Sequence, residues 1–369
     1  MATKVKGPKV RYGVVGGGWI AQAAFMPGVA QTDNSTMTAL VSGDPEKRDK
    51  LAERYGLRAY DYDGYEAMLD SGEVDAIYLA LPNNMHRDYA VAALTKGVHV
   101  LLEKPMATSV TDAEAIRAAA KETGAALMIA YRLHFEPATV AALEAVRSGK
   151  IGEPLFFTSA FAQHVAASNH RAKMGYWAGP VPDMGTYPLN AARNLFGAEP
   201  VAVYAAGVKS PGEDYGFDDT VAVTLVFPKG QTAQFTVSYA GNEANQYRLC
   251  GTKGDIELNP GFTFGQGLVM KTTVGTDKEE KTYPATDQFG GETQYFSACL
   301  LEGKTPEPGG EEGMLDVRVL EAVQRALETG EVQKIPPHER GRRIDPAQAV
   351  ELKLAETPDL VNAAAPGEG

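Results

Sequence analysis

Thiol chemistry is scarce in this chain. Of 369 residues only two are cysteine, Cys250 and Cys299, and neither stands in a CxxC or zinc-ligand spacing. That excludes a disulfide framework and a thiolate metal site, and predicts two buried thiols. An excess of positive charge is also missing. Acidic residues number 47 against 35 Lys and Arg, a formal net charge of −12. Such a mixed acidic surface offers no groove for nucleic acid and no basic face for a membrane. No run approaches the roughly 18 apolar residues of a membrane span. The opening MATKVKGPKV lacks an apolar signal core and a twin arginine, so the expected location is cytoplasmic. There is no internal repeat and no long linker. What is present is 44% apolar residues, enough for a full core, over a length that suggests two domains or one large one.

The stretch around which the chain is organised is VRYGVVGGGWIA, Val10 to Ala21. A Val-rich alternating run leads into Gly16, Gly17 and Gly18, and Trp19-Ile20-Ala21 opens a helical pattern. In Gly16-x-Gly18-x-x-Ala21 the first glycine permits the sharp turn and the second lets a pyrophosphate reach the backbone. The small Ala21 lets helix and strand pack closely. The free N–H groups and positive dipole of a helix start favour a phosphate there. A plain strand-to-helix turn would use similar residues, but the flanking strand and helix are those that dinucleotide binding requires.

Residues 36–41 read as the second strand. An acidic residue for a ribose 2′-hydroxyl is expected at its end in NAD enzymes. Here Ser42-Gly43-Asp44 stands there instead, followed by Lys47 and Arg48. A small neutral residue beside two cations suits a 2′-phosphate, hence NADP. The same two cations also fit the solvated start of a helix over 45–55. Residues 75–81 read as a buried parallel strand ending in Pro82-Asn83-Asn84-Met85-His86. Asn83 or Asn84 is placed to bond the cofactor ribose, and His86 reads as a helix-start residue rather than a catalyst. His99 lies in the strand 99–102, which runs into Glu103-Lys104-Pro105. Pro105 holds Lys104 extended, at a strand end that faces the ligand crevice. A helix follows to Thr123, with Thr111 as its cap and Glu114 completing a capping box. A strand over 125–130 ends at Tyr131-Arg132. Strands and helices alternate throughout, the doubly wound pattern.

From about Leu133 the rhythm changes. A helix over 137–148 and a strand region over 154–161 precede an irregular loop, 163–182, holding His164, His170, Arg171, Lys173, Tyr176 and Trp177. Such a loop either shapes a sugar-sized pocket, with Trp177 as a stacking wall, or is a surface excursion. Asp183 and Tyr187 follow, four apart and so on one face of a helix running to about Phe196. Residues 201–258 alternate as strands do. Ala233, Phe235, Val237 and Tyr239 face one way; Thr232, Gln234, Thr236 and Ser238 face the other, an antiparallel sheet with one polar face. Helices return near 294–301 and 313–327. The expected fold is α/β: a Rossmann domain over 1–132 and an α+β domain over 133–369 with an open, mostly antiparallel sheet. The last helices are candidates to pack back on the first domain.

With these pieces placed, the chain resembles the Gfo/Idh/MocA family of NAD(P)-dependent oxidoreductases over nearly its whole length. The carriers are Gly16-x-Gly18-x-x-Ala21, Pro82-Asn83, Glu103-Lys104-Pro105 and Asp183-x-x-x-Tyr187 in that order. Where much of the family has His, Tyr187 stands, as in the glucose–fructose oxidoreductase, dihydrodiol dehydrogenase and sugar dehydrogenase branches. Leu40-Val41-Ser42-Gly43 with Lys47, Glu103 to Val110, and Glu311 to Met314 with Asp316 to Arg318 resemble glucose–fructose oxidoreductase further, in the neighbourhood of the bacterial aldose–aldose oxidoreductases. Only nine residues precede Val10, so the Pro-rich arm that wraps the cofactor in glucose–fructose oxidoreductase is not expected.

The resemblance implies oxidation of an aldose at C1 to the lactone, with the hydride passed through tightly held NADP(H) to a second sugar. It implies Lys104, Asp183 and Tyr187 as catalytic residues. Tyr187 would take the hydroxyl proton. A free tyrosine, with a pKa near ~10, is a weak base at neutral pH, and the Lys104 ammonium would favour its anion. The implied cofactor set is Gly16, Gly17, Gly18, Trp19, Ile20, Ser42, Gly43, Lys47, Arg48, Pro82, Asn83, Asn84, His86, Glu103, Lys104 and Arg132. Arg171 and Trp177 join Asp183 and Tyr187 as sugar-binding candidates, and no metal is expected. Small sugars are the expected partners of a monomer or homodimer. Relatives often dimerise through the open sheet face, and the polar row on it argues for less. Two other readings stay open: an ordinary aldose or dihydrodiol dehydrogenase with exchangeable NADP, and a non-catalytic NADP sensor, against which the intact Lys104, Asp183 and Tyr187 speak.

Overall fold

A computed structural model describes residues 1–5, 7–211 and 215–368; the side chains of His170 and Lys173 lie outside the described set. The chain divides into two compact units. One comprises Met1–Phe135, Asp287–Met314 and Val350–Ala365, the other Glu136–Thr286, Leu315–Ala349 and Pro366–Gly369.

The first unit is built on six parallel strands: β1 Val10–Val15, β2 Ser35–Val41, β3 Arg58–Tyr60, β4 Ala76–Leu79, β5 His99–Leu102 and β6 Leu127–Ile129. Their order is β3-β2-β1-β4-β5-β6. It reverses between β1 and β4, the switch point at which open α/β sheets bind ligands. Strand β4, AIYL, is apolar and buried along its length, as a strand covered on both faces must be. The edge strand β3 was not expected from sequence: it has three residues, two of them exposed, and so shows no apolar run. The first helix runs over 19–29, with Ala21–Phe25 as a π-helical turn, and ends two residues beyond Pro27. Proline has no N–H for the helical ladder, and a wider turn is one way to accommodate that loss. The cap of Val110–Thr123 is Ser109, not Thr111. Ser109 is extended and its Oγ accepts from Asp112 N at 3.0 Å, whereas Thr111 already lies inside the helix.

The second unit holds a nine-stranded sheet: β7 Pro154–Ala162, β8 Ala202–Val208, β9 Thr220–Val226, β10 Thr232–Ser238, β11 Ala244–Gly251, β12 Gly254–Leu258, β13 Leu268–Val274, β14 Asp277–Tyr283 and β15 Gln333–Lys334. The order is β14-β13-β12-β11-β7-β10-β9-β8-β15. All pairs are antiparallel except β7 with β10. That parallel pair requires a long connection, and part of it is the loop and helix that carry Asp183 and Tyr187. Along β10 the expected alternation holds for Thr232 to Val237, but Ser238, expected on the polar face, is buried. Its Oγ accepts from Ala240 N and Gly241 N at 3.2 and 2.9 Å, so it closes the turn. Strand β14 escaped the sequence reading because DKEEKTY is charged and nearly all exposed; such residues suit a sheet edge that must not pair with another chain. Cys299 is buried as expected, whereas Cys250 is only half-buried. Among the described residues no helix is long and apolar enough to cross a membrane.

Candidate active site

In the first unit the expected cofactor residues gather at the carboxyl ends of β1, β2, β4 and β5. Gly16 has φ +100°, and a Cβ there would stand 2.5 Å from the Ala80 carbonyl oxygen, so only glycine fits. A Cβ on Gly17 would touch the Lys47 stem at 3.1 Å, which places Lys47 over the turn. Gly18 has no atom within 4 Å of its would-be Cβ. That open side, at the start of a helix beside half-buried Trp19 and Ile20, is a cradle of the kind a pyrophosphate needs. Ser42 is buried, and its N–H donates to Tyr60 O at 3.0 Å. Gly43 lies against the Tyr62 ring, where a Cβ would come within 2.8 Å. Asp44 caps Pro45–Tyr55 by accepting from Lys47 N at 3.1 Å. The Arg48 guanidinium pairs with exposed Asp49 at 3.2 Å. The residues present therefore fit NADP, with Lys47 as the cation beside the glycine turn.

Pro82 leads from β4 into a short turn, Asn83–Met85, on which Asn83 is half-buried and Asn84 exposed. His86 starts the helix His86–Thr95 and is fully buried. Its ring nitrogens lie 2.9 Å from Leu81 O and 3.0 Å from Pro105 O. Burial brings its pKa down to about 4, so the ring is neutral at pH 7 and donates to one of the two carbonyls at a time. His86 thus ties the Pro82 turn to the Lys104-Pro105 segment. His99 has a structural role: Nδ1 accepts from Ala126 N and Nε2 donates to Thr3 O, both at 2.9 Å. Glu103 is buried and takes the Tyr78 hydroxyl at 2.6 Å and the Lys104 N–H at 3.2 Å. Burial raises the Glu103 pKa, against the pull of the Lys104 charge. Lys104 itself is half-buried between buried neighbours. Arg132 is buried, bonded to Gln288 and stacked 5.8 Å from the Phe289 ring centre.

In the second unit Val181–Gly185 is a π-helical turn leading into Thr186–Phe196. Asp183 and Tyr187 are half-buried there, while the residues between them are buried. Asp183 accepts from the Tyr239 hydroxyl at 2.9 Å and lies 3.6 Å from the Arg171 guanidinium. Burial, and then the Asp183 charge, push the Tyr239 pKa well above its usual value. Tyr239 therefore stays a donor, with its one proton between Asp183 and Ala178 O at 2.8 Å. Sequence reasoning placed Tyr239 only on a buried face; its one signal was a phenol at a strand end, which must find an acceptor once buried. The Tyr187 ring packs against Phe161 and Phe262, with centres 5.7 and 6.1 Å away. Phe262 also escaped notice; Asn245 Oδ1 accepts its N–H at 2.7 Å and that of Gly261 at 3.1 Å. Trp177 is half-buried and edge-on to Tyr176, whose hydroxyl donates to Leu320 O at 2.7 Å. The His170 and Lys173 side chains lie outside the described residues. Among the described residues no group of three His, Cys, Asp or Glu is set to hold a metal.

Comparison with known proteins covers both units. Residues 10–131 match the family model of the Gfo/Idh/MocA oxidoreductases, NAD-binding Rossmann fold, and residues 139–257 match the Gfo/Idh/MocA C-terminal domain. The solved aldose–aldose oxidoreductase of Caulobacter crescentus, complexed with glycerol, is 35% identical with a TM-score of 0.84, covering 89% of this chain and all of that one. The D-xylose 1-dehydrogenase [NADP(+)] of Haloarcula marismortui is 33% identical, over 87% of this chain and 91% of its own. A 3-ketoreductase of Actinomadura kijaniata, solved with NADP and TDP-benzene, is 28% identical with a TM-score of 0.79, covering 86% of this chain and 98% of that one.

Proposed function

The chain belongs to the Gfo/Idh/MocA family and is an NADP-dependent sugar oxidoreductase acting on CH–OH groups, and on that premise we propose that it oxidises one aldose at C1 and reduces a second without releasing its cofactor. NADP, when bound, supplies the hydride acceptor and, once reduced, the donor. The chain's own residues do the rest. Tyr187 takes the proton of the C1 hydroxyl as the first aldose becomes a lactone, and returns a proton to the alkoxide as the second becomes an alditol. Lys104, at the end of β5, is the second catalytic residue of this reading. Asp183, with Arg171 and Tyr239 on its Oδ2, orients the sugar, and Trp177 offers a stacking face. Two electrons leave the first sugar and enter the second, so no outside oxidant is consumed. The observation that carries this reading is the likeness, over 89% of this chain, to the Caulobacter aldose–aldose oxidoreductase.

Incubating the purified protein with glucose and no added cofactor tests it. Gluconate and sorbitol in equal amounts over many turnovers are expected. A reaction that stops after one turnover and resumes only with free NADP overturns it. That result would favour an ordinary aldose 1-dehydrogenase, the reading to which the xylose dehydrogenase relatives lend weight.

Cofactor choice gives a second expectation. Lys47→Ala should weaken NADP binding by about 1.5–3 kcal/mol, roughly tenfold to a hundredfold, with little effect on NAD. Ser42→Asp should weaken NADP by like-charge repulsion and spare NAD. Titration of both cofactors against both variants checks this, and unchanged NADP affinity in both removes Ser42 and Lys47 from the 2′-phosphate site.

A further inference from the structure

We propose that residues 350–365 form a strap across the NADP-binding loops, and that Gln22 and Asn362 are positioning residues that set how long NADP stays bound. The inference rests on the NADP reading of these loops and adds a physical means of retention to it.

The segment has no regular secondary structure, yet it belongs to the first compact unit. It is pinned along its length. Val350 N donates to Phe135 O at 3.0 Å, Asp287 N to Leu352 O at 3.1 Å, and Ala355 N to the Asp287 carboxylate at 3.1 Å. Its last fixed stretch lies on the cofactor loops. Gln22 is buried, and its side-chain amide accepts from Val361 N at 2.8 Å while donating to Val361 O at 3.0 Å. The same amide donates to Gly17 O at 2.8 Å, the middle glycine of the turn. Val361 is itself buried in the core of the first unit. One side chain thus satisfies both backbone groups of Val361 and joins them to the pyrophosphate turn.

The next residue reaches the other loop. The Asn362 amide donates to Asp44 Oδ2 at 3.1 Å and to Glu46 Oε2 at 3.2 Å. Asp44 is the residue whose other oxygen caps the helix bearing Lys47. Arg54 on that helix donates to Asp359 O at 2.7 Å. Asn362 does this at φ +45°, the only non-glycine residue with positive φ among those described. Asparagine is one of the few side chains that tolerate such a φ, and here its amide is bonded to both carboxylates. The chain Gly17–Gln22–Val361–Asn362–Asp44 therefore couples the pyrophosphate turn to the 2′-phosphate loop. A nucleotide gripped by both loops leaves faster when they move independently, and affinity differences of this kind appear mostly in the off-rate.

The test uses the full chain with Asn362→Gly, which tolerates positive φ and removes only the amide. Two quantities are measured: NADPH release from the loaded protein, followed by fluorescence with excess NADP as trap, and amide hydrogen exchange of residues 42–47 in cofactor-free protein. Release about tenfold faster and faster exchange at 42–47, with an unchanged unfolding midpoint, are expected. Wild-type release and wild-type exchange in the variant overturn the strap. If wild type itself releases NADPH within a turnover and Asn362→Gly releases it faster still, the strap stands and the retained-cofactor reading falls. If wild type retains NADPH and the variant retains it equally, the strap falls and that reading stands.

Discussion

Tyr187→Phe is expected to slow sugar oxidation by roughly 10²–10⁴-fold, the usual worth of a general acid–base group, with NADP affinity unchanged. The phenyl ring keeps its packing against Phe161 and Phe262, so the hydroxyl alone is lost. The Tyr239 hydroxyl donates to Asp183 and the Arg171 guanidinium lies 3.6 Å from it, and both are kept in the variant. Turnover with glucose and with xylose, alongside NADP titration by fluorescence, checks the expectation. Near wild-type turnover would move the base elsewhere, and His164 in the preceding loop would be examined next. Lys104→Ala should also slow the reaction.

Asp316→Ala should destabilise the protein by roughly 3–5 kcal/mol, the cost of breaking a buried ion pair from one side. Arg193 is fully buried on the helix Thr186–Phe196 that also carries Tyr187. Its guanidinium pairs with Asp316 and, at 2.5 Å, with Glu199. Asn190 donates to Asp316 at 3.2 Å, and buried Arg340 bonds Asn194 at 2.9 Å and lies 3.4 Å from Glu199. Two cations and two carboxylates are thereby balanced out of water. Removing Asp316 takes a carboxylate from the fully buried Arg193, in a medium too apolar to screen its charge. Urea unfolding should show a lower midpoint at an unchanged slope. A loss below about 1 kcal/mol would mean that water reaches Arg193 in the variant, and the network would not be what anchors the helix that carries Tyr187.

The glycine turn, the parallel strands and the strand-end positions of Asn83 and Lys104 were legible in the sequence because each is decided within about ten residues. Apolar runs bounded by turns mark buried strands, and Gly16 is demanded by its own φ and by the nearby Ala80 carbonyl. The spacing of Asp183 and Tyr187 likewise places them on one helical face without any tertiary information. Beyond that range the periodicity is silent. It does not show that β10 runs parallel to β7, since strand direction depends on the route of the long connection rather than on alternation. Nor does it pair Tyr239 with Asp183, 56 positions apart, or Gln22 with Val361, 339 apart. Arg193 on an amphipathic helix reads as a surface charge until Asp316 and Glu199 arrive from distant segments to neutralise it. Local conformational preference acts through neighbours along the chain. The partner of a buried polar group is chosen by whichever remote group completes its hydrogen bonds at the lowest desolvation cost, and only the folded chain brings those groups within 3 Å of one another.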